Sequence, residues 1–113
     1  MMPEEIVAGQ LEAYNDRDLE RFLSYYLEDV TVRAFPSGEV LVDRSGPMFR
    51  SRYRQLFEES PELHAEVRTR IVHGRIVIDD ELVTGFMGGQ TRTATAIYDV
   101  GPDKIEQVWF VST

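Results

Sequence analysis

Three tyrosines and a histidine are the residues best suited to chemistry in this chain. Tyr14, Tyr26 and Tyr53 each fall on the apolar face of a predicted helix. A buried phenol hydroxyl needs a hydrogen-bond partner. The three hydroxyls therefore either satisfy one another or leave one for a ligand, and Tyr14 is the one expected to face it. His64 shares the parity of Glu66, Arg68 and Arg70, which places it at the rim of any interior. There it is the only plausible base. A catalytic reading thus uses Tyr14 as acid or oxyanion donor and His64 as base. His64 and His73 lack metal-ligand spacing, and no metal is expected. Asp79-Asp80-Glu81 reads as a solvated bulge between two strand halves rather than a cation site. Gly88-Gly89 lacks the strand–loop–helix context of a phosphate loop, and no serine lies in a nucleophile elbow, so no cofactor is expected either.

The elements that must position these groups fit one domain, residues 1–113. Hydrophobic residues at 42% and aromatic residues at 11% are enough for a real core. The absence of cysteine removes disulfides, thiolate metal sites and a cysteine nucleophile. A net charge of −8 with no basic stripe argues against nucleic acid as a partner. No apolar run approaches the length of a membrane span, and the first residues are acidic where a secretory segment is basic. The expected address is cytoplasmic.

Pro3 suits the first turn of a helix that carries Val7, Gln10, Leu11 and Tyr14 on one face. Asp18 can cap a second helix, where Leu19, Phe22, Leu23 and Tyr26 share a face. A tight acidic turn at Glu28-Asp29 then feeds a strand that stops at Pro36. Val40-Leu41-Val42 reads as a minor strand. Ser45 and Pro47 open a third helix presenting Phe49, Tyr53, Leu56 and Phe57. From Leu63 the pattern is strands separated by turns at His73-Gly74, Gly88-Gly89 and Gly101-Pro102-Asp103, the last strand running from Ile105 to Ser112. Alternation puts Leu63, Ala65, Val67, Thr69 and Ile71 on one face. It puts Ala94, Ala96, Tyr98 and Val100 on the inner face of a later strand. The many arginines, among them Arg50, Arg52, Arg54, Arg68, Arg70 and Arg75, are expected to pair with acids across helix and sheet. Helices followed by hairpins make an α+β protein: three N-terminal helices packed in a strongly curved antiparallel sheet.

The runs Ala13-Tyr14-Asn15-Asp16-Arg17-Asp18, Tyr26-Leu27-Glu28-Asp29-Val30-Thr31-Val32, Arg52-Tyr53-Arg54-Gln55, Ala96-Ile97-Tyr98-Asp99-Val100 and Lys104-Ile105-Glu106-Gln107-Val108-Trp109-Phe110 together resemble the nuclear transport factor 2-like superfamily. The nearer likeness is to its SnoaL-like and ketosteroid-isomerase-like branches, over essentially the whole chain. The resemblance implies a cone-shaped, cystatin-like barrel with an apolar pocket at its open end. It also implies a homodimer through the convex sheet face, which here would carry Ile97 and Trp109. Against the ketosteroid isomerases, Tyr14 falls on the oxyanion-hole tyrosine, and Tyr26 and Tyr53 on the tyrosines that support it. The two acids of that site are replaced by Ala34 and Ala96, which disfavours steroid isomerisation. Phe110 stands where the limonene-epoxide-hydrolase branch has an aspartate.

The expectation is a pocket for a small hydrophobic molecule, lined by Tyr14, Tyr26, Phe35, Phe49, Tyr53, Phe57, Phe86, Tyr98 and Phe110. Binding without catalysis is the first reading. An isomerase- or cyclase-like enzyme on a hydrophobic carbonyl compound, using Tyr14 and His64, is the second. A scaffold domain with a filled core is the third.

Overall fold

The computed structural model of the chain describes residues 1–43 and 48–111. It contains α1 (Pro3–Asn15), α2 (Leu19–Ser24), β1 (Tyr26–Ala34), β2 (Val40–Asp43), α3 (Met48–Glu59), β3 (His64–His73), β4 (Ile76–Phe86), β5 (Gln90–Val100) and β6 (Ile105–Val111). All the strands join one sheet in the order β2-β1-β6-β5-β4-β3. The class is α+β, with three helices against a curved sheet. One feature departs from expectation. β1 and β6 pair in parallel, so the sheet is not wholly antiparallel; these strands are far apart in sequence, and the long crossover between them permits it. The sheet is open, with β2 and β3 as its edges, as expected of a cone. No described helix is long and apolar enough to cross a membrane.

Local chemistry sets the helix ends. The Met2 N–H donates to Glu5 Oε1 at 3.0 Å, and the Arg21 N–H donates to the Asp18 cap at 3.2 Å. α2 stops at Ser24, two residues short of Tyr26. The Tyr25 N–H bonds back to Phe22 and Leu23, while its carbonyl accepts from the Ile105 N–H at 2.9 Å. That bond draws Tyr26 into β1, beside Ile105. The expected acidic turn at Glu28-Asp29 is therefore strand, with an irregular register between Tyr26 and Thr31. The expected cap Ser45, its neighbour Pro47 and the terminal Ser112 lie outside the described residues.

The core is centred on Phe22. Its ring centroid lies 4.7 Å from Tyr53, 5.0 Å from Tyr26, 5.8 Å from Phe57, 6.0 Å from Tyr14 and 6.5 Å from Phe49. The apolar stripes of all three helices thus meet at one aromatic hub, with Ile6 and Val7 of α1 buried alongside.

Strand parity decides what reaches the interior. β5 and β6 alternate as expected: Ala96, Tyr98, Val100 and Val108 are buried, whereas Ile97, Asp99 and Trp109 take the opposite face. β3 does not. Its register against β4 shifts between Val67 and Thr69, which makes Arg68 an extra residue. Beyond the bulge Arg70 turns inward opposite Asp79, and Ile71, expected inside, is 56% exposed. In β4 the expected bulge at 79–81 is absent. Asp79, Asp80 and Glu81 pair in unbroken register with Ala96, Thr95 and Ala94. Val77, Asp79, Glu81 and Val83 consequently share the inner parity, and Ile76, Ile78 and Leu82 the outer. The irregularity comes later, between Val83 and Phe86, at Gly85.

Gly85 has φ +67, and a Cβ there would lie 2.2 Å from the Glu62 carbonyl oxygen. Strain and a clash with backbone coincide, so Gly85→Ala is expected to destabilise the fold by at least about 2 kcal/mol. Urea unfolding measures it; a cost below about 0.5 kcal/mol would show that the strand end tolerates a side chain.

Candidate functional site

The sheet and the helices enclose a cavity of about 1000 Å³. Its buried end is formed by Gln10, Phe22, Tyr26, Glu81 and Tyr98. Its mouth is formed by exposed residues, including Glu39, Leu41, Arg52, Met87 and Arg92. A shallower depression between β1 and the β5–β6 turn is lined by Glu28, Asp29, Asp103, Lys104 and Glu106 among others, and holds none of the groups considered above.

Six of the expected lining residues meet in the cavity: Tyr14, Tyr26, Tyr53, Phe86, Tyr98 and Phe110. Phe86 reaches it because of the irregularity at Gly85. The other three, and the expected base His64, do not line it. Phe49 and Phe57 are buried in the aromatic hub, behind the lining. Phe35 is 50% exposed beyond the end of β1. His64 is exposed at the start of β3, opposite Thr84 on the outer parity. It lies before the bulge at Arg68, so nothing turns it inward, and it does not line this cavity.

The carboxylate that sequence reasoning placed in solvent is inside. Glu81 is 7% exposed, lines the cavity and has its pKa pushed up to about 7. Burial is the main cause, and the neighbouring negative charge of Asp79 adds to it. Arg70, and a hydrogen bond from Tyr98, pull the other way. Asp79 has no exposed surface and stays paired: Arg70 Nε donates to its Oδ1 at 2.7 Å, and Arg70 Nη2 to its Oδ2 at 2.9 Å.

Gln10 was placed on the apolar face of α1, and its function there was missed. The Tyr26 hydroxyl donates to Gln10 Oε1 at 2.7 Å, and Gln10 Nε2 donates to the Tyr98 hydroxyl at 3.3 Å. These two bonds make one chain, Tyr26–Gln10–Tyr98, across the buried end of the cavity, which Glu81 also lines. The three helix tyrosines therefore do not satisfy one another. The hydroxyls of Tyr14 and Tyr53 have no hydrogen-bond partner among the described residues, and both line the cavity. Burial, with the charge of Glu81 adding to it, raises the pKa of Tyr14 well above its ordinary value. Tyr53 is pushed up to about 12 by burial, against the lowering charge of Arg52. Both remain neutral donors at any physiological pH.

The arrangement can move a proton. It combines a carboxyl titrating near neutrality, two phenol donors and walls that are otherwise largely apolar. A polar residue on an apolar helix face was the available signal for Gln10. For Glu81 it was the run from residue 76 to 86, which needs no bulge if both faces of the strand are covered.

The family model of the SnoaL-like domain matches residues 7–108. Among solved structures, an uncharacterized cystatin-fold protein from Novosphingobium aromaticivorans shares 27% identity at a TM-score of 0.85, over 99% of this chain and 99% of that one. A SnoaL-like protein of unknown function from Burkholderia thailandensis shares 17% identity at 0.74, over 96% and 91%. A de novo designed protein with a curved β-sheet shares 17% at 0.74, over 98% and 84%. For the latter two the likeness is one of fold alone, and fold by itself carries no activity. No curated protein matches the chain.

A carboxyl whose folded pKa lies above its unfolded value stabilises fully below the unfolded value. That contribution is lost as pH rises through the folded value. For Glu81 the window runs from 4.5 to about 7. Glu81→Gln should therefore match the wild type at acid pH and exceed it by up to about 3 kcal/mol at about pH 8. Paired urea titrations at the two pH values measure the difference, and equal stability at both would mean that Glu81 is not buried as described.

Proposed function

The chain belongs to the SnoaL-like domain family, and from that premise we propose that it acts in the cytoplasm on a small, largely apolar carbonyl compound, moving a proton on it with Glu81. One observation carries the reading: a buried carboxyl with a pKa of about 7 on the wall of a cavity that also holds two phenol hydroxyls without a partner among the described residues. As carboxylate, Glu81 removes a proton from the carbon next to the carbonyl. Tyr14 donates a hydrogen bond to the oxygen on which negative charge develops. The protonated Glu81 then returns the proton to the same or a neighbouring carbon. Steroid isomerisation stays disfavoured, since the expected acid positions are Ala34 and Ala96. The acid wall stands one strand away, with Glu81 beside Ala94 and Asp79 beside Ala96. Binding without catalysis is what remains if Glu81 does not transfer protons.

The test is deuterium exchange into 2-tetralone and 1-indanone in heavy water, followed by NMR. Exchange should rise with pH through about 7, as Glu81 ionises. It should fall at least about a hundredfold in Glu81→Gln and about tenfold or more in Tyr14→Phe. Ketones that bind but exchange no faster than in buffer would reduce the reading to a binding protein.

We further propose that the protein is a homodimer through the convex face. Ile71, Ile78, Ile97 and Trp109 are successive cross-strand neighbours there and form one apolar row across four strands. A row of this kind, with Trp109 as anchor, supports a self-complementary contact. Sedimentation should give a dimer at micromolar concentration for the wild type and a monomer for Trp109→Glu; a monomeric wild type would remove the proposal.

A further inference from the structure

The chain carries twenty acidic side chains against twelve Lys and Arg. Most described arginines are accordingly engaged. Arg21, Arg50, Arg68, Arg70 and Arg75 form ion pairs, and Arg17 and Arg33 donate to backbone carbonyls. Arg52, Arg54 and Arg92 do neither among the described residues, and of these Arg52 and Arg92 line the mouth of the cavity.

The two are positioned differently. Arg92 lies over the ring of Phe86, its guanidinium carbon 4.7 Å from the centroid. This contact uses none of the guanidinium N–H groups in a hydrogen bond among the described residues, which leaves them available to a ligand. Arg52 stands on α3 next to Tyr53, and its positive charge is felt at the Tyr53 hydroxyl inside the cavity. Glu39 is the one carboxylate at the rim among the described residues. Two guanidinium groups against one carboxylate leave the opening positive on a molecule whose net charge is −8. Such a local field favours a singly charged anion, which it neutralises. A phosphate dianion would exceed it.

We propose that the natural ligand is an amphiphilic carboxylic acid. Its apolar body fills the cone and its carboxylate rests at the mouth between Arg52 and Arg92. This deepens the cavity reading of the preceding subsection and rests on it. A ligand held by its carboxylate at the mouth extends inward toward Glu81, so Arg52 and Arg92 would choose the substrate and Glu81 would act on its far part.

The experiment compares ω-phenylalkanoates of about four to eight carbons with their primary amides, by calorimetry. Wild type should bind the best acid about tenfold more tightly than its amide. Arg52→Gln and Arg92→Gln should each lose several-fold in acid affinity, on the order of one desolvated charge contact, with amide affinity unchanged. Both side chains are exposed, so both variants should fold, which circular dichroism checks. Arg50→Gln, which removes a residue paired with Glu20 and absent from the lining, should bind the acids as the wild type does. Equal binding of acids and amides by wild type would overturn the anionic ligand and leave the cavity reading standing. An acid preference that survives in both mouth variants would overturn the assignment to Arg52 and Arg92. Failure of every acid and amide to bind would overturn the cavity reading and this inference with it.

Discussion

A carboxylate with no exposed surface, Asp79, is held on the inner face of the sheet by a two-pronged bond from Arg70. Burying that charge unpaired would be strongly destabilising, so the partner must come from the same face of the neighbouring strand. The bulge at Arg68 meets that demand by shifting the parity of β3 by one residue and turning Arg70 inward. Asp79 is therefore paired where it is. Its charge, added to burial, is part of what lifts Glu81 into the neutral range two residues further along β4. The chemistry of the cavity thus depends on an ion pair that does not line it.

Around that pair the interior divides into a closed part and an open part. The helices close one side through Phe22, whose ring gathers aromatic residues from α1, α3 and β1. The chain Tyr26–Gln10–Tyr98 ties this packed region to the sheet and pairs the polar groups at its buried end. Toward the mouth the lining becomes exposed, and Arg52 and Arg92 have no ion-pair partner among the described residues. One cavity therefore offers an acid at its inner end and net positive charge at its outer end, a polarity suited to an elongated ligand.

Much of the frame was legible because it is local. The cap at Asp18, the turn at Gly88-Gly89 and the inward set Ala96, Tyr98 and Val100 depend on neighbours a few residues away. Tyr14, Tyr26 and Tyr53 could be placed on helix faces for the same reason, although Tyr26 turned out to begin a strand. Glu81 and Arg70 could not be placed this way. Each is charged, and charge normally marks the solvent face, so alternation puts Arg70 outward and a solvated bulge takes Glu81. Only a paired neighbour, and a one-residue shift in another strand, makes the opposite arrangement tolerable.

The sequence by itself determined an α+β chain with three amphipathic helices, a run of hairpins and an interior rich in aromatic residues, because spacing and turn chemistry act within one element. The tertiary structure decided which charges that interior contains. His64 stays outside and Glu81 goes inside because the free energy of a buried carboxyl is set by partners from other elements, Arg70 across the sheet and Tyr98 beside it. No residue's own neighbours in the chain carry that information.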